Sequence, residues 1–125
     1  MTDRDADAAA LAGAMGWTFE IGPAFRPETD RVFWTRPRNG KGEAAEWIPI
    51  PAPDAPLGER LAFVGRLCEA MPHCELDTIE RGYRNTVAYW CVTILRSEPK
   101  HSYHEAAELD LVHAAIRAAI EARRA

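Results

Sequence analysis

The chain has 125 residues, of which 47% are hydrophobic, 27% are charged and four are tryptophan. This length and composition predict a single domain, residues 1–125, that buries its core without disulfide or metal support. The net charge of −4 argues against a nucleic-acid-binding protein, since the phosphate backbone attracts basic surfaces.

The cysteines and the first residues predict a cytoplasmic location. The three cysteines are an odd and widely spaced set, which gives no disulfide framework and fits a reducing compartment. The chain begins with polar and acidic residues, where a signal peptide would be basic and then apolar. No apolar run is long enough to span a bilayer, so we expect no membrane association.

The N-terminal segment predicts a helix that begins at Thr2 and ends at Met15. Thr2 and Asp5 have the spacing of a capping box. Apolar residues then recur at helical intervals from Ala8 to Met15, and Gly16 suits the left-handed cap that ends many helices.

Three strands are expected next. Trp17–Ile21 predicts a short strand, and the aromatic and β-branched segments Arg31–Arg36 and Ala45–Ile48 predict two more. The Asn39-Gly40 pair supplies the positive φ angles of a tight turn, so the last two segments should form a hairpin. A stiff connector without regular pairing then follows, because prolines recur in it. These prolines are Pro49, Pro51, Pro53 and Pro56.

A second helix is predicted after this connector, with Asp54 as its N-cap and Pro72 just beyond its end. Its apolar residues step by three and four along one stripe, which Phe63 and Leu67 widen. The stripe consists of Leu57, Leu61, Val64, Cys68 and Met71.

Two further strands are predicted, Leu76–Glu80 and Thr86–Leu95. The second is apolar on both faces, which is typical of a central strand that is covered on both sides. One face carries Val87, Tyr89, Cys91 and Leu95, and the other carries Ala88, Trp90, Val92 and Ile94.

The last helix is expected to begin at a capping box formed by Ser102 and Glu105. Its buried stripe contains Leu109, Val112, Ile116 and Ile120. The opposite edge alternates in charge like a solvated helix face, and contains Asp110, His113, Arg117, Glu121 and Arg124. The element order α-β-β-β-α-β-β-α predicts an α+β fold, with a mainly antiparallel sheet and helices packed on both faces.

A series of short segments, in order along most of the chain, carries a resemblance to a known family. The segments are Met15-Gly16-Trp17, Trp34, Trp47, Pro49, the Asp54-led helix with Phe63 and Leu67, and the alanine-rich segment Ala115–Ile120. In these the chain resembles small tailed-phage and prophage proteins described as the phage αβα-sandwich domain. The resemblance implies a fold and a phage-related origin. It implies no reaction and no functional residue, because that family has no assigned activity.

Neither the cysteines nor the histidines have the spacing of a metal site, so we expect no metal and no cofactor. Structural zinc needs paired ligands, whereas Cys68 and Cys74 are five residues apart and Cys91 lies within a predicted strand. The capping box places His104 in the last helix and leaves His101 outside it, so the two rings do not share a face.

Asp110 and His113 are the candidate catalytic pair. They lie on the charged edge of the last helix, and no third group or pocket accompanies them, so a solvated face is the simpler interpretation. The chain also lacks the glycine-rich motifs that bind phosphate. We therefore expect no catalytic residue, and the protein is not expected to be an enzyme.

The hairpin is the candidate partner-binding region. Arg36, Arg38 and Lys41 lie near the aromatic residues Phe33 and Trp34, and tryptophan and arginine are common anchors of protein interfaces. Neighbours in a strand face opposite ways, so one of the two rings points away from the covered face. The competing interpretation is that the aromatics are core residues and the cations only solubilise the turn.

We expect a phage or prophage accessory protein that binds a host or phage protein. Inhibition of a host or defence complex, such as a CRISPR effector, is one version of this function. The alternative is a small-molecule or nucleotide-fragment binding module, or a weak enzyme, with a cleft beside Tyr83, Tyr89 and His101. A third hypothesis is single-stranded nucleic-acid binding by the hairpin.

Overall fold

Helices and two antiparallel sheets make up the part of the chain that the structure, a computed structural model, describes: residues 2–22, 31–35 and 46–124. The elements are α1 (Asp3–Met15), β1 (Thr18–Ile21), β2 (Arg31–Trp34), β3 (Trp47–Pro49), α2 (Leu57–Ala70), β4 (Cys74–Arg84), β5 (Val87–Arg96), β6 (Ser102–Glu108) and α3 (Leu111–Arg124). Sheet A has the strand order β1-β2-β3, and sheet B has the order β4-β5-β6. The predicted α+β class, with antiparallel sheets flanked by helices, is confirmed.

Both ends of α1 follow from local signals in the sequence. The Thr2 side-chain oxygen accepts a hydrogen bond from the Asp5 N–H at 3.1 Å. At the other end Gly16 adopts a left-handed φ of +73°, and the Trp17 N–H donates to the Ala12 carbonyl at 2.8 Å. The predicted capping residues are therefore those that cap this helix.

One hydrophobic core joins all three described helices to both sheets. Phe33 of β2 is 0% exposed, and its ring centroid lies 5.6 Å from that of Trp17, 6.0 Å from Phe19 and 6.4 Å from Phe63. Aromatic rings at these separations contribute both buried area and favourable edge and face contacts. The largest fully buried side chains are Phe33, Leu11, Leu67, Ile94, Leu111, Ile116, Val64, Val92 and Val112.

The N-terminal turn of α2 differs from its prediction. Leu57 and Leu61 were expected in the buried stripe, but they are 44% and 39% exposed. The buried side chains are Phe63, Val64, Leu67 and Cys68. Leu61 lies at the margin of that stripe, and Leu57 lies in the first turn. Asp54 is not the N-cap, because the helix begins after Pro56 and no side chain caps it.

β4 is longer than the predicted strand Leu76–Glu80, and a bulge interrupts its alternation. The register shifts between Leu76 and Thr78, and Asp77 is the extra residue. Leu76 and Ile79 therefore face the same side of sheet B although three positions separate them. The strict alternation of side chains between the two faces of β4 is therefore broken at Asp77.

The two faces of β5 differ in their cover. Val92 and Ile94 face the helices and are 0% exposed. Trp90 lies on the same face, and the Arg81 guanidinium carbon lies over its ring, 4.9 Å from the ring centroid. The other side, which we call the outer face of sheet B, carries Val87, Tyr89, Cys91, Thr93 and Leu95 of this strand. β5 is the central strand, as predicted, but none of its outer-face residues belongs to the core, and the described helices pack on the opposite face.

The predicted start of the last helix is wrong. Ser102–Glu108 forms strand β6 along β5, and α3 begins at Leu111. Asp110 is the residue whose side chain caps it: Oδ1 accepts a hydrogen bond from the Val112 N–H at 3.1 Å. Leu109, which was expected in the buried stripe, is 69% exposed because it precedes the helix. Pairing with β5 outweighs the local helix signal of this segment.

A two-residue turn with left-handed backbone angles joins β4 to β5. Asn85 has φ +50° and Thr86 has φ +66°, the pattern of a type I′ turn. Asparagine tolerates this region, whereas threonine is β-branched and adopts it only with strain. The strain lies at the outer end of the β4–β5 hairpin.

We expect Thr86→Gly to raise the free energy of unfolding by about 1 kcal/mol, because glycine adopts a positive φ without a steric clash. Urea titration measures this change. Asn85→Gly is the matched control, and it should gain less. A loss of stability in Thr86→Gly would mean that the threonine side chain stabilises the turn more than its backbone strain destabilises it.

Candidate protein-binding site

The structure separates the two aromatic residues of the predicted partner-binding region. Phe33 is fully buried, so it is a core residue and is not available to a partner. Trp34 lies on the opposite face of β2 and is half-buried. Arg36, Arg38 and Lys41 lie outside the described residues.

Trp34 and Trp47 form a stacked pair on the side of sheet A that faces away from the core. Trp34 lies opposite Thr18 of β1 and Trp47 of β3 in the register of the sheet. The two indole rings have centroids 6.3 Å apart and planes inclined by 26°. The Trp34 Nε1–H donates a hydrogen bond to Glu20 Oε2 at 2.9 Å. This bond satisfies the polar end of the indole and orients its ring.

The same register extends this surface along the strands. Val32 lies opposite Glu20 and Pro49, and it faces the same side as Trp34 because side chains alternate along a strand. We call the surface formed by Trp34, Trp47, Val32, Pro49 and Glu20 the tryptophan face. The described helices contact the other side of sheet A, where the core residues lie.

Two hydrogen bonds connect the backbone beneath the tryptophan face to neighbouring segments. Trp47 is 41% exposed, and its carbonyl oxygen accepts a hydrogen bond from Arg66 Nη2 at 2.9 Å. The carbonyl oxygen of the preceding residue, Glu46, accepts a hydrogen bond from the Thr35 N–H at 3.0 Å. These bonds fix the position of the strand that carries Trp47 relative to α2 and to the end of β2.

An ion pair and a hydrogen bond tie the N-terminus of α3 to α1. Arg4 Nε lies 2.6 Å from Asp110 Oδ2, and His113 Nε2 lies 2.6 Å from Asp7 Oδ2. Asp110 and His113, the candidate catalytic pair, are therefore each bound to a different residue of α1. Their side chains are only 15% and 12% exposed, so this part of the helix edge is not the solvated face that was expected.

A second ion pair adds β2 to this cluster. Arg31 donates to both carboxylate oxygens of Asp5, with Nε 2.7 Å from Oδ1 and Nη2 3.1 Å from Oδ2. The hydrogen bonds from Arg31 lower the pKa of the Asp5 carboxyl, although desolvation opposes them. These contacts connect elements of the fold and engage the paired groups with one another. A cavity of about 370 Å³ lies beside them, and its lining includes Arg4, Asp5, Arg31, Asp110 and His113.

The three thiols are not activated for nucleophilic chemistry. Burial raises the pKa of Cys68 to about 12. Burial is also the main reason why the pKa values of Cys74 and Cys91 are raised. A nucleophilic cysteine needs a lowered pKa. Within the described ranges, no group of three or more His, Cys, Asp and Glu side chains could hold a metal ion.

The cleft expected beside Tyr83, Tyr89 and His101 is not assembled. Tyr83 lies next to the β4–β5 turn, and His101 precedes β6 at the other end of sheet B. His104, which was expected to be helical, lies in β6 with its Nε2 2.8 Å from Ser102 Oγ.

A groove of about 380 Å³ lies at one end of the outer face of sheet B, and it was not predicted from the sequence. Arg84, Val87, Tyr89 and Leu109 are among the residues that line it. The available signal was Asn85 between two strand-forming segments, which is typical of a hairpin turn and places Arg84 opposite Val87.

None of the helices in the described part of the chain is long and apolar enough to cross a membrane. A scan against protein-family models finds no match, and neither does a search of curated proteins or of solved structures.

Proposed function

We propose that the chain acts by binding another protein through the tryptophan face. The observation that carries this proposal is the stacked pair Trp34–Trp47, held on a side of sheet A on which no described helix packs. Tryptophan combines a large apolar area with a polar tip, and it is enriched among residues that dominate interface energetics. Trp47 supplies exposed ring area, and the Glu20 hydrogen bond orients its neighbour.

The state of the reactive side chains supports a binding role over a catalytic one. Asp110 and His113 are engaged by separate partners on α1, and the pKa of each cysteine is raised. A nucleophilic cysteine requires a lowered pKa, and a general base needs a side chain that is free to accept a proton. The cysteines lack the first, and the Asp110 and His113 side chains are already bound to Arg4 and Asp7.

The biological setting is proposed from the resemblance alone. Small phage and prophage proteins are the family that the chain resembles, so we propose a host or phage protein as the partner. Inhibition of a host or defence complex by stoichiometric binding is the version of this function that we favour. It needs a surface and no reaction, and an inference of this kind rests on analogy.

We expect the double variant Trp34→Ala/Trp47→Ala to lose about 30-fold or more in affinity for the partner, since buried tryptophans contribute about 2 kcal/mol or more to an interface. The partner is first isolated by affinity capture from host lysate with mass spectrometry. Its affinity for each purified variant is then measured by calorimetry.

Two control variants locate the effect. Tyr103→Ala removes an aromatic ring that is 64% exposed on the other sheet, and His101→Ala/His104→Ala removes two of the histidines. Both should bind the partner with wild-type affinity, and urea titration should show that all variants are folded. Full binding by the tryptophan variant, with loss in either control, would assign the interaction to a different surface.

A further inference from the structure

Strand β6, at one edge of sheet B, is shorter than the β4–β5 hairpin beside it. β6 pairs with β5 only from Trp90 to Arg96, whereas β4 pairs with β5 as far as Val87. On the β6 side, Val87–Tyr89 therefore has no strand partner among the described residues. Alternate residues of an antiparallel strand direct both N–H and C=O to the same neighbour. At least one residue of Val87–Tyr89 accordingly directs its N–H and C=O toward the β6 side of β5, beyond the end of β6. We call this position, where no described strand pairs with Val87–Tyr89, the lane.

The groove on the outer face of sheet B lies beside this lane. Its apolar walls include Val87 and Leu109, which are 53% and 69% exposed, and its volume is about 380 Å³. Its remaining lining comes from Tyr89 and Ala107, and from Arg84 and Glu108 near its ends. An apolar side chain carried by a strand in the lane has a place to insert here.

Gly82 leaves room for the Tyr89 ring that lines this groove. A Cβ atom at position 82 would lie 2.5 Å from the Tyr89 ring and hydroxyl, so glycine permits the ring to lie across β4. An aromatic ring packed over a cross-strand glycine is a known way to stabilise a sheet.

The two charged side chains that line the groove, Glu108 and Arg84, differ in whether they already form an ion pair. Glu108 forms an ion pair with Arg117. Arg84, at the turn end of the groove, makes no ion pair with any described residue. A carboxylate on the occupant would complement the Arg84 guanidinium. The net charge of the whole chain is −4, which repels acidic segments at long range. A preference for an acidic segment must therefore come from a short-range contact with Arg84.

We propose that the lane beside Val87–Tyr89 binds an extended segment of a partner protein, which adds as a strand to β5. The segment inserts an apolar side chain into the groove and places a carboxylate at Arg84. This site lies on sheet B and is independent of the tryptophan face on sheet A. A second copy of the chain fits less well, because it would offer an edge of the same short length and would bring a second Arg84 to the site.

Short blocked peptides test the charge preference on the full chain. The probes are acetyl-Thr-Val-Leu-Val-Asp-amide and its counterpart in which lysine replaces aspartate, titrated into ¹⁵N-labelled protein by NMR. We expect saturable shifts at Val87–Tyr89, Ala107 and Leu109, and an affinity about threefold to fivefold higher for the aspartate peptide, as for an exposed ion pair. Arg84→Glu should reverse this preference, and Lys100→Glu, the same charge change at the other end of sheet B, should leave it unchanged.

N-methylation of the peptide tests the strand geometry. In an added strand only alternate N–H groups point to β5. Methylation at one of two neighbouring positions should therefore abolish binding, while methylation at the other should leave it within about twofold.

Four results of the peptide experiments would overturn the proposal. They are no shift with either peptide, equal affinity for the two peptides, an unchanged preference in Arg84→Glu, and equal effects of both N-methylations. Self-association of the wild type that Arg84→Glu abolishes would also overturn it, since the lane would then belong to a second copy.

Discussion

Phe33→Ala is expected to lower the free energy of unfolding by about 3–5 kcal/mol, the range for a large aromatic residue removed from a close-packed core. Phe33 is 0% exposed, and rings from two other segments surround it: Trp17 and Phe19 at β1, and Phe63 of α2. Alanine would leave a cavity lined by these rings. They are anchored in a strand segment and a helix, so they cannot all move into it.

Trp34→Ala is the matched control for this experiment. The residue is adjacent in the same strand and larger than Phe33, but it faces away from the core and contacts Trp47 and Glu20. Its loss should cost about 1 kcal/mol, the scale of one aromatic pair. Phe33→Leu should lie between the two variants, because it keeps most of the buried volume.

Urea titration of the three variants checks the ranking, with comparable m-values showing that two-state unfolding persists. If Trp34→Ala is as destabilising as Phe33→Ala, the outward side of sheet A is covered and the tryptophan face is not a free surface. That result would count against the proposed function as well as against the core assignment. The stability experiment and the binding experiment thus test the same face in two ways.

The parts of the fold that could be predicted are those that local signals decide. The caps of α1 depend on Thr2 and Gly16, which act through neighbours within a few residues. The period of two along β5 separates Val92 and Tyr89 onto opposite faces, as predicted, although the expectation that both faces are covered is wrong for the described residues. Neither inference requires knowledge of what packs against the element.

The segment Ser102–Glu108 shows why local signals fail elsewhere. Its capping-box spacing and its alanine and glutamate content favour a helix. It becomes a strand because β5 offers it a complete antiparallel partner. The helix starts instead after Asp110, which caps it, and pairing with β5 decides this. Pairing between distant segments is not visible in the local pattern.

The candidate site was predictable to the same degree. Alternation alone showed that Phe33 and Trp34 face opposite ways, but the layer that covers one of them is set by the distant residue Phe63. For the groove beside Tyr89, Asn85 indicated only the hairpin turn, because the groove also arises from a difference in length between two strand pairings. A pairing difference of this kind belongs to the sheet and to no single segment.

Asp5→Asn is expected to lower the free energy of unfolding by about 2 kcal/mol at neutral pH, the scale of hydrogen bonds to a charged group. Asp5 is 3% exposed and receives two hydrogen bonds from Arg31, which joins α1 to sheet A. Asparagine keeps the shape of the side chain but removes its charge and one acceptor oxygen. The Arg31 guanidinium then loses its countercharge in a partly desolvated position.

The acid dependence of this effect has a defined sign. The pKa of Asp5 in the folded protein is lowered from its ordinary value of 3.8, chiefly by the Arg31 hydrogen bonds. The stabilisation is therefore fully present above about pH 3.8, and it is lost as the pH falls through the lowered folded pKa. The difference between wild type and Asp5→Asn should accordingly shrink in strong acid.

Urea titrations of wild type, Asp5→Asn and Asp3→Asn at about pH 7 and about pH 2 measure this dependence. Asp3 lies in the same helical turn and is exposed, so its variant removes the same charge from the N-terminus of α1 without touching the Arg31 pair. It should cost a few tenths of a kcal/mol, the scale of a helix-dipole interaction. Equal losses in the two variants would reduce the role of Asp5 to its place near the helix N-terminus. A loss for Asp5→Asn that stays constant down to strong acid would show that packing of the side chain, and not its ionised pair with Arg31, connects α1 to β2.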